Sequence, residues 1–298
     1  MQHDPTFKPV AFAITGVGLL TCMDAIIKHL AGSYSTIELM AFRYGSGLLF
    51  AAVLFAITRP GWPNRQQWPR HVLRVLVVLV TAGTFFYALG RLPLAEVFVI
   101  VFTGPLFMAL FGRLMLGERL NPSAGVALAM GFAGMLVIVL TRAEGFRFGA
   151  EGPALLAAVV SPIAYALAMV MMRKQTGDEP VERIVLIQPL LGLLAVAPFS
   201  LPTLAWPTGS TLWLALLMGL LGTSGSWALA WAFKHAPAHR IGVAEYTGLI
   251  WAAGLGYSLF GEVPRMEVWL GAVLIISACL LVIRAPRAVP AAAPAATT

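Results

Sequence analysis

The amino-acid sequence predicts an all-α integral membrane protein: ten transmembrane helices as two inverted five-helix repeats (5+5), both termini cytoplasmic. Three observations predict it. Of 298 residues, 59% are hydrophobic and 11% charged, whereas a soluble domain carries about 25% charged residues. The chain therefore lacks the polar side chains to cover itself in water. Its apolar residues fall into long runs, and roughly 20 such residues cross about 30 Å of hydrocarbon. The second half of the chain also repeats the first at a constant offset.

Cut at Pro, Gly and Arg, the apolar runs place spans at 10–30, 35–58, 72–90, 93–115, 122–141, 152–172, 183–200, 211–234, 240–260 and 266–284. Residues 1–9 are polar and form a cytoplasmic N-terminal segment, and the run that follows is long enough for a span rather than a signal peptide. The first repeat occupies 10–141 and the second 152–284, and the Ala/Pro-rich tail 285–298 is expected to be disordered. Spans and short loops use nearly the whole chain, leaving no room for a soluble catalytic domain. Cys22 and Cys279 both lie in apolar runs, which indicates neither a disulfide framework nor a metal site.

The net charge of +7 comes from Lys and Arg set singly in short loops, the way topology is encoded rather than a nucleic-acid footprint. With the N-terminus inside, fourteen of these residues face the cytoplasm, five face outward (Lys28, Arg91, Arg142, Arg147 and Arg265), and Arg43 lies within a span.

A gapless shift of 144 residues lays Pro93 on Pro237, Thr103-Gly104 on Thr247-Gly248, Gly112 on Gly256 and Gly117-Glu118 on Gly261-Glu262. Apolar matches prove little in such a chain, but matches at Pro, Gly and Glu are informative. Each repeat holds an odd number of spans, so the second copy enters the membrane upside down. The loop charges agree: four arginines lie between 59 and 74, and none in the counterpart around 203–218. Inverted repeats are a transporter architecture, with the substrate site near the midplane between the halves.

The stretch Tyr87–Val139 and its second copy Trp231–Ile283, with the paired Gly117-Glu118 and Gly261-Glu262 and with Arg43 in MAFRYGSGLL, resemble the drug/metabolite transporter superfamily, EamA type. The resemblance covers nearly all of residues 10–284, and within the superfamily it is most similar to YddG-like amino-acid exporters. It implies a basket of ten helices, its central cavity lined by the first, third, fourth, sixth, eighth and ninth. It also implies an inner-membrane secondary carrier without a cofactor, moving small metabolites, amino acids foremost and aromatic ones among them. Nucleosides, sugars and drug-like cations are the alternative cargoes, and the oligomeric state is left open.

Ionisable residues inside spans are the first functional candidates. Asp24 lies roughly 9 Å and Arg43 roughly 12 Å from the same end of their spans at 1.5 Å per residue. An ion pair locking the first two helices and a substrate role both follow, with Lys28 a competing partner for Asp24. Glu245 has Val101 as its repeat-mate, so the symmetric scaffold does not require it; it faces the cavity or snorkels. Gly117, Glu118, Gly261 and Glu262 read as scaffold, a glycine turn followed by a carboxylate at the positive end of the next helix. Tyr87, Phe102, Tyr165, Trp227, Trp231 and Tyr246, with Thr103, form either an apolar box for the cargo or interfacial anchors. Thr103-Gly104-Pro105 and Ser161-Pro162 place helix breakers inside spans, as hinges or as passive kinks.

Other classes fit less well. Gly222-Thr223-Ser224-Gly225 and His239 resemble the rhomboid-protease motifs, but Ser224 is roughly 15 Å from the end of its span, too far to meet a histidine in the turn. His29, His71, His235 and His239 lie near span ends and no CxxCH occurs, which disfavours a haem carrier. No span shows the repeated polar ring of a channel, and no nucleotide-binding loop is present.

Overall fold

The computed structural model describes residues 7–101, 103–116, 151–202, 204–235 and 247–263, with isolated positions between 126 and 133 and between 266 and 277. The expected fifth and tenth spans fall almost wholly outside these residues. Among the described residues the structure is helical without a strand. The helices are α1 (Phe7–Leu30), α2 (Thr36–Thr58), α3 (Trp68–Leu89), α4 (Leu94–Val101), α5 (Gly104–Leu116), α6 (Gly152–Asp178), α7 (Val181–Ser200), α8 (Ser210–His235) and α9 (Thr247–Phe260). Among the described residues, seven helical stretches are long and apolar enough to cross a bilayer, α4 and α5 counting together as one.

Local chemistry accounts for the ends. Ser35 caps α2: its backbone N–H donates to Glu38 Oε2 at 2.8 Å and its hydroxyl accepts from the Glu38 N–H at 3.4 Å, which satisfies two donors that a helix N-terminus leaves open. The fourth span is interrupted at Thr103, a turn residue ahead of the start of α5 at Gly104, within the expected Thr103-Gly104-Pro105 run. The Thr103 hydroxyl donates to the Ile100 carbonyl at 2.8 Å, satisfying a carbonyl at the break. Ser161-Pro162 behaves differently, for α6 runs through it unbroken; the Ser161 hydroxyl donates across to the Thr81 carbonyl of α3 at 3.4 Å.

The helices pair across the two halves. α1 packs on α8 and α3 on α6, α2 packs on α7, and α4 packs on α9. This pattern maps onto itself when each helix is exchanged for the one five spans later. The α1–α8 pair is close. A Cβ built on Gly16 would sit 3.0 Å from the Gly225 carbonyl oxygen, so the backbones themselves touch, as small residues allow in membrane helices. The Gly-Thr-Ser-Gly run of α8 is a packing motif. Leu39, Phe86, Leu89, Leu94, Ile100 and Met218 fill the main core, while Leu49, Val53, Ile57, Leu76, Val80, Leu156, Trp213 and Leu220 are exposed on outer faces. With its backbone groups bonded within helices, such an apolar exterior suits hydrocarbon.

Candidate functional site

A cavity opens between α2 of the first half and α6, α7 and α8 of the second. Its volume is about 30 Å³, room for about two water molecules. Arg43, Tyr44, Gln188, Thr223 and Ser226 give it a polar wall, and Met172, Ile184 and Ala230 an apolar one. Arg43 is 8% exposed. Its guanidinium lies over Gly47, one turn along α2, and against Gly222 on α8, where any Cβ would collide with it. The neighbouring Thr223 hydroxyl donates to the Gly47 carbonyl at 3.1 Å and ties the two glycine surfaces together.

Asp24 is buried on α1. It and Arg43 interact electrostatically, yet no ion pair within 4 Å joins them among the described residues. The expected direct lock between the first two helices is absent. Nor does Lys28 compete for Asp24. Its ammonium turns the other way, 3.0 Å from Glu262, and donates to the carbonyls of Leu89 at 3.2 Å and Leu92 at 2.6 Å.

Glu262 corrects the scaffold reading in detail. Its carboxylate serves a helix N-terminus, as expected, but that of α4 in the other repeat, accepting the Leu94 N–H at 2.8 Å. Gly261, at φ +64°, supplies the left-handed turn that aims it, a conformation glycine adopts without steric cost. Gly117 and Glu118 lie outside the described residues.

A second polar group closes the opposite end of the bundle. His71 of α3 and Glu179, in the turn between α6 and α7, meet at 2.9 Å with side chains 0% and 1% exposed. Arg183 lies 3.6 Å from Glu179 and donates to the carbonyls of Pro60 at 2.8 Å and Gly61 at 2.9 Å. Arg74 donates to Gln188 at 2.8 Å, so this group runs up to the wall of the cavity. His71 Nδ1, Arg74 Nε, both amide atoms of Gln175 and Glu179 Oε1 are buried without a hydrogen-bond partner.

The described aromatic candidates, Tyr87, Tyr165, Trp227 and Trp231, do not line this cavity. Tyr87 carries Arg91 over its ring at 3.7 Å. Tyr165 rests against Gly104 at the break in the fourth span, and Thr103 is buried beside it in sequence. Trp227 is edge-on to Phe12 and its indole N–H donates to Glu182 at 3.5 Å. Trp231 stacks on His235 and packs on Phe12 near the end of α8, the position of an interfacial anchor. Phe102, Glu245 and Tyr246 lie outside the described residues.

Sequence reasoning passed over Tyr44, His71, Arg74, Glu179, Gln188 and Ser226. Gln188 carried a usable signal, as a polar amide well inside the seventh apolar run. His71 and Glu179 sat at the edge of theirs and read as loop residues, and only the packing of the halves buries them.

Comparison with known proteins settles the family. The EamA-like transporter family model matches twice, over residues 8–140 and 152–284. The chain belongs to the EamA-like transporter family. It is a multi-pass membrane protein of a transporter family, as its resemblance implied. A riboflavin transporter of Rhizobium johnstonii is 32% identical, over 82% of this chain and 79% of its own. The pseudopaline exporter of Pseudomonas aeruginosa is 26% identical over 93% and 96% of the two chains. An S-adenosylmethionine uptake transporter of Rickettsia bellii is 29% identical over 87% and 88%. A solved crystal structure matches with a TM-score of 0.65 at 22% identity, covering 92% of this chain and 95% of that one, a likeness of fold.

Proposed function

We propose that this protein is a secondary carrier that exports amino acids, aromatic ones among them, across the inner membrane by alternating access. It has ten spans in two inverted repeats, 10–141 and 152–284, and both termini are cytoplasmic. The observation that carries this reading is the cavity between the halves with Arg43 buried in its wall. A charge held deep in apolar helices is costly and marks a solute path. The helix pairing that survives exchange of the halves supports a mechanism in which one half rocks against the other. Asp24, Thr103, Tyr165 and Trp227 belong to the proposed path; Glu245 and Tyr246, outside the described residues, stay candidates from the sequence alone.

The relatives are named for riboflavin, pseudopaline and S-adenosylmethionine, and their names include both export and uptake. The riboflavin relative supports a second reading, a flavin carrier.

The test is transport by the full chain in liposomes, using labelled amino acids, nucleosides, sugars and riboflavin, with and without a pH gradient. Saturable movement of amino acids is expected. Movement of riboflavin alone replaces the cargo with the second reading, and discrete single-channel currents in a planar bilayer overturn the carrier reading.

A further inference from the structure

Arg43 is a cation without a direct counter-ion. Among the described residues no carboxylate comes within 4 Å of it and no hydrogen bond reaches it. Asp24 senses its charge from α1 without touching it. Burying a guanidinium in apolar helices is costly unless an anion meets it. A helix bundle could avoid that cost with an apolar residue at this position. Here it does the reverse. Gly47 and Gly222 give up their side-chain space to seat the guanidinium.

The surroundings indicate what the cation is for. The wall beside it bears the hydroxyls of Tyr44 and Ser226 and the amide of Gln188, and no acidic residue. The Gln188 amide oxygen is already occupied by Arg74, leaving its NH₂ as a donor. The Thr223 proton is committed to Gly47. Among an otherwise apolar lining, the polar groups left at the cavity are a fixed positive charge, the Gln188 NH₂ and the Tyr44 and Ser226 hydroxyls, which can turn their protons toward an anion, arranged between one helix of the first half and its partners in the other. An oxyanion completes that set.

Two features favour a carboxylate over a phosphate. A cavity of about 30 Å³ takes two oxygens in place of about two waters. One guanidinium balances one negative charge, whereas a phosphate monoester would bring nearly two. The planar fork of arginine meets either oxyanion through two parallel hydrogen bonds, so size and charge make the choice.

We infer that the Arg43 guanidinium, seated between Gly47 and Gly222, binds the carboxylate of the transported molecule. This rests on the carrier reading and deepens it: the cargo class becomes monocarboxylates, amino acids included. It also assigns Arg43 a substrate contact where its sequence position suggested a family marker.

The test pairs each acid with its neutral amide. Purified full-length protein is titrated with L-phenylalanine, L-phenylalaninamide, L-leucine, L-leucinamide, phenyl phosphate and riboflavin, following thermal stabilisation. The same compounds are then offered to the protein in liposomes. At least one free acid is expected to bind tenfold or more tightly than its amide and than phenyl phosphate. Arg43→Gln is expected to erase that preference and Arg43→Lys to retain part of it. The acid–amide comparison needs only the wild-type chain, so it decides the matter even where a variant fails to fold. Equal binding of acids and amides overturns the inference, as does acid binding by a folded Arg43→Gln chain at wild-type strength. Preference for phenyl phosphate overturns it too, in favour of a phosphate site. Panel members none of which binds the wild-type chain overturn it as well. Transport of riboflavin that Arg43→Gln leaves unchanged sinks the carboxylate site while the carrier reading stands; a folded protein that transports no member sinks the carrier reading itself.

Discussion

At one end of the bundle, Lys28 and Glu262 join the halves with all three ammonium protons and both carboxylate oxygens engaged. The ammonium meets two carbonyls and a carboxylate, and the second carboxylate oxygen takes the Leu94 N–H. The two side chains keep 12% and 22% of their surface. At the other end His71 and Glu179 join the halves in a site with almost no exposure, beside five buried polar atoms without partners. Each such atom costs about 1–3 kcal/mol. The first end is thus a satisfied, part-exposed clamp; the second is a buried junction that leaves polar atoms unpaired. Among the described residues the second end holds more ion pairs than the first, yet it is the one that leaves polar atoms unpaired.

The largest expected effect comes from the buried junction. Glu179→Ala removes the carboxylate that meets His71 and Arg183, and should cost about 3–5 kcal/mol, as removing one partner of a buried pair does. The unfolding midpoint in mixed micelles measures it, and a loss below that of Glu262→Ala would dissolve the contrast between the ends.

Between the ends, Gly222→Ala drives a Cβ into the seat of the Arg43 guanidinium and should cost about 1–3 kcal/mol by overpacking. The same substitution at Gly254, where nothing lies within 4 Å, is the matched control.

Glu262→Ala should cost about 1–2 kcal/mol, the sum of a lost helix cap and a part-exposed ion pair. High salt should narrow that loss, since the pair is partly screened; the loss from Glu179→Ala should hold. Measuring both midpoints across a salt series separates clamp from junction.

The smallest effect has the opposite sign. Gly177→Ala, two residues from Glu179 with open space around it, should stabilise α6 by about 0.5–1 kcal/mol. A destabilised variant would mean that the backbone at this end, and not the side-chain network, governs its stability.

Much of the scaffold was legible before any coordinates. The apolar runs match helices such as α2 and α7 within two residues at each end, because a chain crossing lipid must close its backbone bonds inside each span. The break at Thr103-Gly104-Pro105 was legible for a related reason, since proline removes a donor and its ring strikes the preceding turn. The same rule misled at Pro162, where a continuous α6 absorbs it against α3. The site was less legible. Arg43 stood out as a charge within a span, but its seat on Gly222 joins residues 179 positions apart, and no local pattern announces that.

By itself the sequence determined the helical membrane class, the twofold duplication and the family, because lipid imposes span length and duplication leaves matched Pro, Gly and Glu. The tertiary structure alone decided which charges meet. It turned Lys28 from Asp24 to Glu262, sent Glu262 to the far repeat and buried His71 against Glu179. It also left Arg43 with no carboxylate in reach among the described residues. Charge pairing depends on which helix faces which, and in this protein those neighbours come from opposite halves of the chain.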